Sequence, residues 1–99
     1  MAKKEIIWSE LAKIEFSNIL AFYFYRNENS NYSLKILEEV EDLLETLSEN
    51  ETIGRLTSNK ITRVIPMKRY LIFYEINQNR IEVVSFWDNR QDLEGRKIK

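Results

Sequence analysis

The cleanest pattern in the chain is a stripe of apolar residues: Ile36, Leu37, Val40, Leu43, Leu44 and Leu47, separated by Glu38, Glu39, Glu41, Asp42 and Glu45. Apolar positions at i, i+1, i+4, i+7, i+8 and i+11 share one face of a helix, so this segment reads as an amphipathic helix with an acidic wet side. Upstream, Leu11, Ala12, Ile14, Phe16, Ile19, Phe22 and Tyr23 give a wider apolar surface. Ser9 can cap that helix and Glu10 stands in its first turn, where the helix dipole favours an acid. It is expected to run to about Arg26. Asn27-Glu28-Asn29-Ser30-Asn31 then supplies turn residues. Two helices joined this closely form an antiparallel hairpin.

Elsewhere the period changes to two. Glu5-Ile6-Ile7-Trp8 reads as a short first strand, and Ile61 to Ile65 as another, closed by Pro66-Met67-Lys68. From Arg69 to Ile76, Tyr70, Ile72, Tyr74 and Ile76 alternate with Leu71, Phe73 and Glu75. Asn77-Gln78-Asn79 makes a hairpin turn, and Arg80 to Trp87 alternates Ile81, Val83 and Ser85 with Glu82, Val84 and Phe86. The element order is β-α-α-β-β-β. It predicts a single α+β domain over residues 1–99, a helical hairpin packed on one face of a small antiparallel sheet. One proline and two glycines leave no linker that would divide it.

Composition narrows the chemistry. The chain has 43% hydrophobic and 31% charged residues, a globular balance, and its length suits one core. It contains neither cysteine nor histidine. That excludes a disulfide framework and thiolate metal sites, and removes the usual zinc ligand and the usual neutral-pH general base. No cofactor or metal is expected. The longest apolar run, Ile19 to Tyr25, is far short of the ~20 residues that cross a bilayer, and Met1-Ala2-Lys3-Lys4-Glu5 leads into no secretory pattern. A cytoplasmic protein with no membrane partner is expected. The net charge of −1 conceals an asymmetry: residues 1–54 hold five Lys/Arg against eleven Asp/Glu, a net of −6, and residues 55–99 hold ten against five, a net of +5. A basic second half suits an anionic partner, either nucleic acid or an acidic protein segment.

Candidate chemistry gathers in that half. Arg63 lies mid-strand, Lys68 and Arg69 at the next turn, and Arg90 just past the last strand. Cleavage of RNA without a metal needs a base for the 2′-hydroxyl, an acid for the leaving oxygen and cations for the phosphorus-centred charge. Arg63, Arg69 and Arg90 could supply the cations, but only Asp88, Glu75, a tyrosine or a lysine is left as base. Trp87 could stack on an unpaired base, and Lys68, Tyr70, Asn89 and Gln91 could contact a target. Each has an ordinary structural reading beside it. Arg63 could lay its stem on the sheet and pair its head with Asp88 or Glu75. Tyr70 and Tyr74 could be core aromatics, Trp87 a lid on the core, and Asp88-Asn89-Arg90-Gln91-Asp92 a solvated turn.

The ordered set of local patterns resembles the RelE/ParE superfamily of toxins. Ala12-Lys13-Ile14-Glu15-Phe16 with Ile19 and Phe22-Tyr23 is similar to the family's opening helix, and Ile53-Gly54-Arg55 to the loop leading into its sheet. Arg63 followed by Tyr70-Leu71-Ile72-Phe73-Tyr74-Glu75-Ile76 resembles the family's arginine and Tyr-x-x-x-Tyr strand. Phe86-Trp87-Asp88-Asn89-Arg90-Gln91-Asp92 resembles its C-terminal segment. The proline often found before the Ile-Gly-Arg loop is missing, and Leu93 stands where a proline commonly follows the Arg-Gln pair. The resemblance implies the toxin of a type II toxin–antitoxin system, a growth inhibitor held by a cognate antitoxin in a hetero-oligomer. ParE-like members act on DNA gyrase, and RelE-like members are endoribonucleases that cut messenger RNA on the ribosome. Arg63 and Arg90 are similar to basic positions at the RNA site of the latter. The histidine-free composition favours ParE-like target binding, or cleavage that relies on the ribosome for part of its chemistry. A metal-independent endoribonuclease and an inactive α+β interaction domain are the alternatives, because a shared fold does not fix activity.

Overall fold

The structure, a computed structural model, describes residues 4–27 and 31–88. It consists of β1 (Glu5–Trp8), α1 (Glu10–Asn27), α2 (Asn31–Glu49), β2 (Arg55–Leu56), β3 (Thr62–Met67), β4 (Tyr70–Ile76) and β5 (Arg80–Asp88). The five strands form one sheet in the order β1-β5-β4-β3-β2. The expected α+β arrangement of two helices on a sheet is present, with two differences. A two-residue strand, β2, adds to the edge beside β3, and β1 runs parallel to β5, so the sheet is mixed rather than wholly antiparallel. Only a crossover connection can bring two strands parallel, and the helical hairpin and β2–β4 together provide it.

Helix α1 starts where Ser9 leaves the strand. The Ser9 Oγ accepts the Ala12 amide at 3.0 Å, a cap of about 1 kcal/mol, and its hydroxyl donates to the Val84 carbonyl at 3.1 Å. The Ser9 amide also donates to the Val83 carbonyl at 2.9 Å. One residue thus ends β1, starts α1 and ties both to β5. Beyond that point β1 no longer covers the edge of β5, and Glu15 takes over. Its carboxylate accepts the Phe86 amide at 2.9 Å and the Ser85 hydroxyl at 2.8 Å.

Strand β3 passes through Pro66 instead of closing at Ile65. The Thr62 carbonyl accepts from the Thr57 amide on the outer side, and counting by two puts the Pro66 nitrogen on the same side, where β2 has already ended. A proline there removes no ladder hydrogen bond. The β3–β4 hairpin turns at Lys68-Arg69, with Lys68 at φ 59°, the left-handed region that tight hairpins use.

The sheet's covered face carries Ile65 and Met67 from β3, Tyr70, Ile72 and Tyr74 from β4, and Ile81, Val83 and Phe86 from β5. The alternation expected along β5 breaks at Val84. Phe73 pairs with Ser85 but Tyr74 pairs with Val83, so Val84 is a bulge that turns Phe86 onto the helix side with Val83. Phe86 then joins Trp8, Phe16 and Tyr70, with ring centroids 6.3, 4.7 and 5.5 Å away. Each such pair adds about 0.5–1.5 kcal/mol beyond the area it buries. Ala12, Phe16, Ile19 and Tyr23 of α1 and Ile36 and Val40 of α2 complete this core, and Leu47, Tyr74 and Ile81 form a second cluster at the other end.

Candidate functional site

Strand register sorts the predicted site residues into two groups. Met67 pairs with Tyr70 and Tyr70 with Asp88, so Lys68, Arg69, Tyr70, Trp87 and Asp88 all lie at one end of the sheet. Arg63 pairs with Tyr74, four positions further along β4. Strands rise about 3.3 Å per residue, which puts Arg63 roughly 13 Å away along the sheet. Asn89, Arg90 and Gln91 fall outside the described residues.

Arg63 is half-buried on the same face as Tyr74, and its Nη1 donates to the Gly54 carbonyl at 2.7 Å. Neither expected carboxylate partner receives it: Glu75 accepts the Thr62 hydroxyl at 2.6 Å instead. Around Gly54 a small lock forms. The Tyr74 hydroxyl accepts the Gly54 amide at 2.9 Å and donates to the Glu51 carbonyl at 2.7 Å. The loop between α2 and β2 is therefore pinned to the sheet by one phenol and one guanidinium, because its carbonyls and amide need partners once water is excluded.

At the other end, Lys68 forms an ion pair with Glu39 of α2 at 2.8 Å, and Arg69 donates to the Tyr23 hydroxyl at 3.3 Å. Part of the basic second half thus turns back on the acidic first half. Asp88 is buried at 6% exposure, opposite Tyr70. Trp87 is half-buried and points to the face away from the core, across from Leu71. Between α1 and this end of β5 runs a groove of about 500 Å³, lined among others by Asn18, Phe22, Arg26, Trp87 and Asp88. The α1 side of this groove is absent from the residues expected from sequence. The available signal was that Phe22 belongs to an apolar surface too wide for one buried stripe.

Neither strand tyrosine is suited to act as a base. Burial pushes the Tyr70 phenol well above its usual range, with Tyr32 beside it and the Asp88 carboxylate adding to the effect and Arg69 opposing it. Burial also raises Tyr74, against the Gly54 amide and Arg63, which favour the ionised form. A phenol raised on folding supports the folded state fully below its unfolded value of about 10, and this support is lost as pH climbs through the folded value. Stability should accordingly be insensitive to these two groups at neutral pH and fall as pH rises above about 10. Absorbance at 295 nm checks it: Tyr70 and Tyr74 should ionise above the usual phenol range. Tyr70→Phe and Tyr74→Phe should each remove one late-ionising phenol.

Among the described residues no cluster of three acidic side chains is placed to hold a metal ion, and no helix is long and apolar enough to cross a membrane. Among curated proteins none matches the chain significantly. Among solved structures, the chain is similar to a protein of the chromosomal ParDE toxin–antitoxin system from P. aeruginosa. The two share 11% identity, the alignment covers 87% of this chain and 96% of that one, and the TM-score is 0.71. At that identity the likeness concerns the fold. Residues 6–93 match the family described as ParE toxin of type II toxin–antitoxin system, parDE. With nearly the whole chain matched, from β1 through the end of the sheet and beyond, the protein belongs to the ParE family and is the toxin component of a type II toxin–antitoxin system.

Proposed function

We propose that this toxin arrests growth by binding a large cytoplasmic target, DNA gyrase, and that a cognate antitoxin holds it inactive in a hetero-oligomer. The observation carrying this reading over RNA cleavage is the engagement of the cations. Arg63 is bonded to the Gly54 carbonyl, Lys68 to Glu39 and Arg69 to Tyr23, while Tyr70 and Tyr74 stay protonated. Phosphodiester cleavage asks for converging cations beside a base, and a guanidinium 13 Å or so from the others, already hydrogen-bonded, does not converge with them. A binding mode makes no such demand. The end of the sheet that holds Lys68, Arg69, Trp87 and Asp88, continued by Asn89, Arg90 and Gln91 in the chain, is the surface we assign to the target.

The antitoxin follows from the family and from the ParDE system that contains the structural relative. The groove between α1 and β5 offers apolar side chains of a partner segment a seat, with Arg26 and Asp88 at its polar margin. Expression of the chain in cells, with and without its neighbouring reading frame, tests the proposal. Growth should stop only without the neighbour, supercoiling and replication should fail, and mapped messenger RNA ends should match those of uninduced cells. New cuts in ribosome-bound messages would replace this reading with the RelE-like one. Arg63→Ala gives a further check: it should lower stability by about 1–3 kcal/mol by stripping the Gly54 carbonyl of its charged donor. Among variants that stay folded, loss of toxicity should follow changes at Arg69 and Trp87 more closely than changes at Arg63.

A further inference from the structure

Helix α1 has two apolar faces, and the fold uses one. Ala12, Phe16, Ile19 and Tyr23 are buried, whereas Leu11, Ile14, Phe22 and Tyr25 are 52, 51, 51 and 76% exposed. At 3.6 residues per turn the exposed four, with Asn18 among them, fall within about 80° of arc, roughly 130° round the helix from the buried stripe. The row spans about 21 Å of helix. It also reads the same in both directions. Leu11 and Ile14 stand seven and four residues before Asn18, and Phe22 and Tyr25 four and seven after it.

An isologous interface must be complementary to itself, and a two-fold axis through Asn18 brings positions at equal offsets from it together, apolar on apolar. We propose that the free toxin pairs with a second copy of itself through α1, the two helices antiparallel and crossing at Asn18. Leu11 and Ile14 of one copy then meet Tyr25 and Phe22 of the other. Four large side chains exposed to this degree offer roughly 500 Å² per copy, near the upper end of what a monomer leaves uncovered. Doubled across the axis this is about 1,000 Å², the lower bound for a specific interface, and fits a weak dimer. Charge agrees with the arrangement. The acidic Glu10 end of each helix lies toward the basic Arg26 end of the other, the helix dipoles oppose, and a net charge of −1 leaves little repulsion between copies. Asn18, exposed in one copy, finds its twin at the crossing point and sets the register, as a lone asparagine in an apolar helical seam does. The row shares Asn18 and Phe22 with the groove assigned to the antitoxin, so antitoxin and second copy exclude each other on α1, and the pairing belongs to the free toxin.

The proposal goes beyond the ParE-like reading and stands without it. The chain has no cysteine, so single introduced thiols report contacts without background. In the purified full-length chain under mild oxidation, Asn18→Cys should give a covalent dimer by itself, since position 18 faces its own copy at disulfide range. Leu11→Cys and Tyr25→Cys should each stay monomeric alone and cross-link when mixed. Ser58→Cys, exposed on a distant loop, measures random collision. Sedimentation velocity should show a dimer dissociating in the micromolar range, and Ile14→Asp with Phe22→Asp should raise the dissociation constant at least ~100-fold. Circular dichroism confirms that each variant is folded. A monomer at every concentration up to about 0.5 mM, a dimer indifferent to the two aspartates, or Leu11→Cys cross-linking to itself as a parallel pair would each overturn the proposal.

Discussion

Gly54→Ala is expected to destabilise the fold by about 2–4 kcal/mol, out of all proportion to one methyl group. The residue is not glycine for its backbone angle, since Gly54 does not have a positive φ. It is glycine for space. A Cβ at this position would lie 2.6 Å from the Tyr74 oxygen, 2.7 Å from Cε1 and 3.0 Å from Cζ. The ring cannot swing aside, because Tyr74 is fully buried against Leu47 and Ile81. Relief has to come from the loop, and lifting the loop breaks three bonds together: Gly54 amide to Tyr74, Tyr74 to the Glu51 carbonyl, and Arg63 to the Gly54 carbonyl. Chemical denaturation of the variant measures the loss. Tyr74→Phe alone should cost about 1–3 kcal/mol through unpaired backbone groups. Combined with Gly54→Ala it should cost less than the sum, since the bonds through the hydroxyl are then lost only once and the oxygen contact is gone, while the ring carbon 2.7 Å away still meets the new methyl. Additive losses would mean that glycine and phenol act separately.

Phe86→Ala should have the largest effect of any core truncation, about 3–5 kcal/mol, and on a domain of this length a fall in melting temperature of 15 °C or more. Phe86 is 1% exposed and contacts rings from β1, α1 and β4 at once. Its removal leaves a cavity bordered by Trp8, Phe16 and Tyr70 that no single side chain can fill. Because Glu15 accepts the amide of the same residue, loosening here should also release α1 from the edge of β5. Thermal melts followed by near-ultraviolet circular dichroism test this, since the aromatic signal depends on that stack. A variant melting within a few degrees of the parent would show the cluster to be dispensable.

The loop at Gly54 also explains why one site residue was legible and its partner was not. An arginine among Ile61, Val64 and Ile65 is expensive to bury unpaired, so a partner for Arg63 was implied by the strand pattern itself. That the partner is a carbonyl nine residues upstream, and not Asp88 or Glu75, depends on where α2 ends and how the chain returns to the sheet. Nothing periodic records that. Lys68, Arg69, Tyr70, Trp87 and Asp88 were singled out separately by residue type, and their common position became visible only with the register of three strands.

Sequence by itself determined the elements: α2 from its stripe, β4 and β5 from their alternation, the Asn77–Asn79 turn, and the order that makes the chain α+β. These are properties of neighbours three, four or two residues apart, and local periodicity carries them. Tertiary structure decided the parallel seat of β1 on β5, the bulge at Val84 that brings Phe86 inside, the partners of Arg63, Lys68 and Arg69, and which of the two apolar faces of α1 is buried. Each of those is a choice among partners far apart in the chain, made by packing and by the need of buried polar groups for hydrogen bonds.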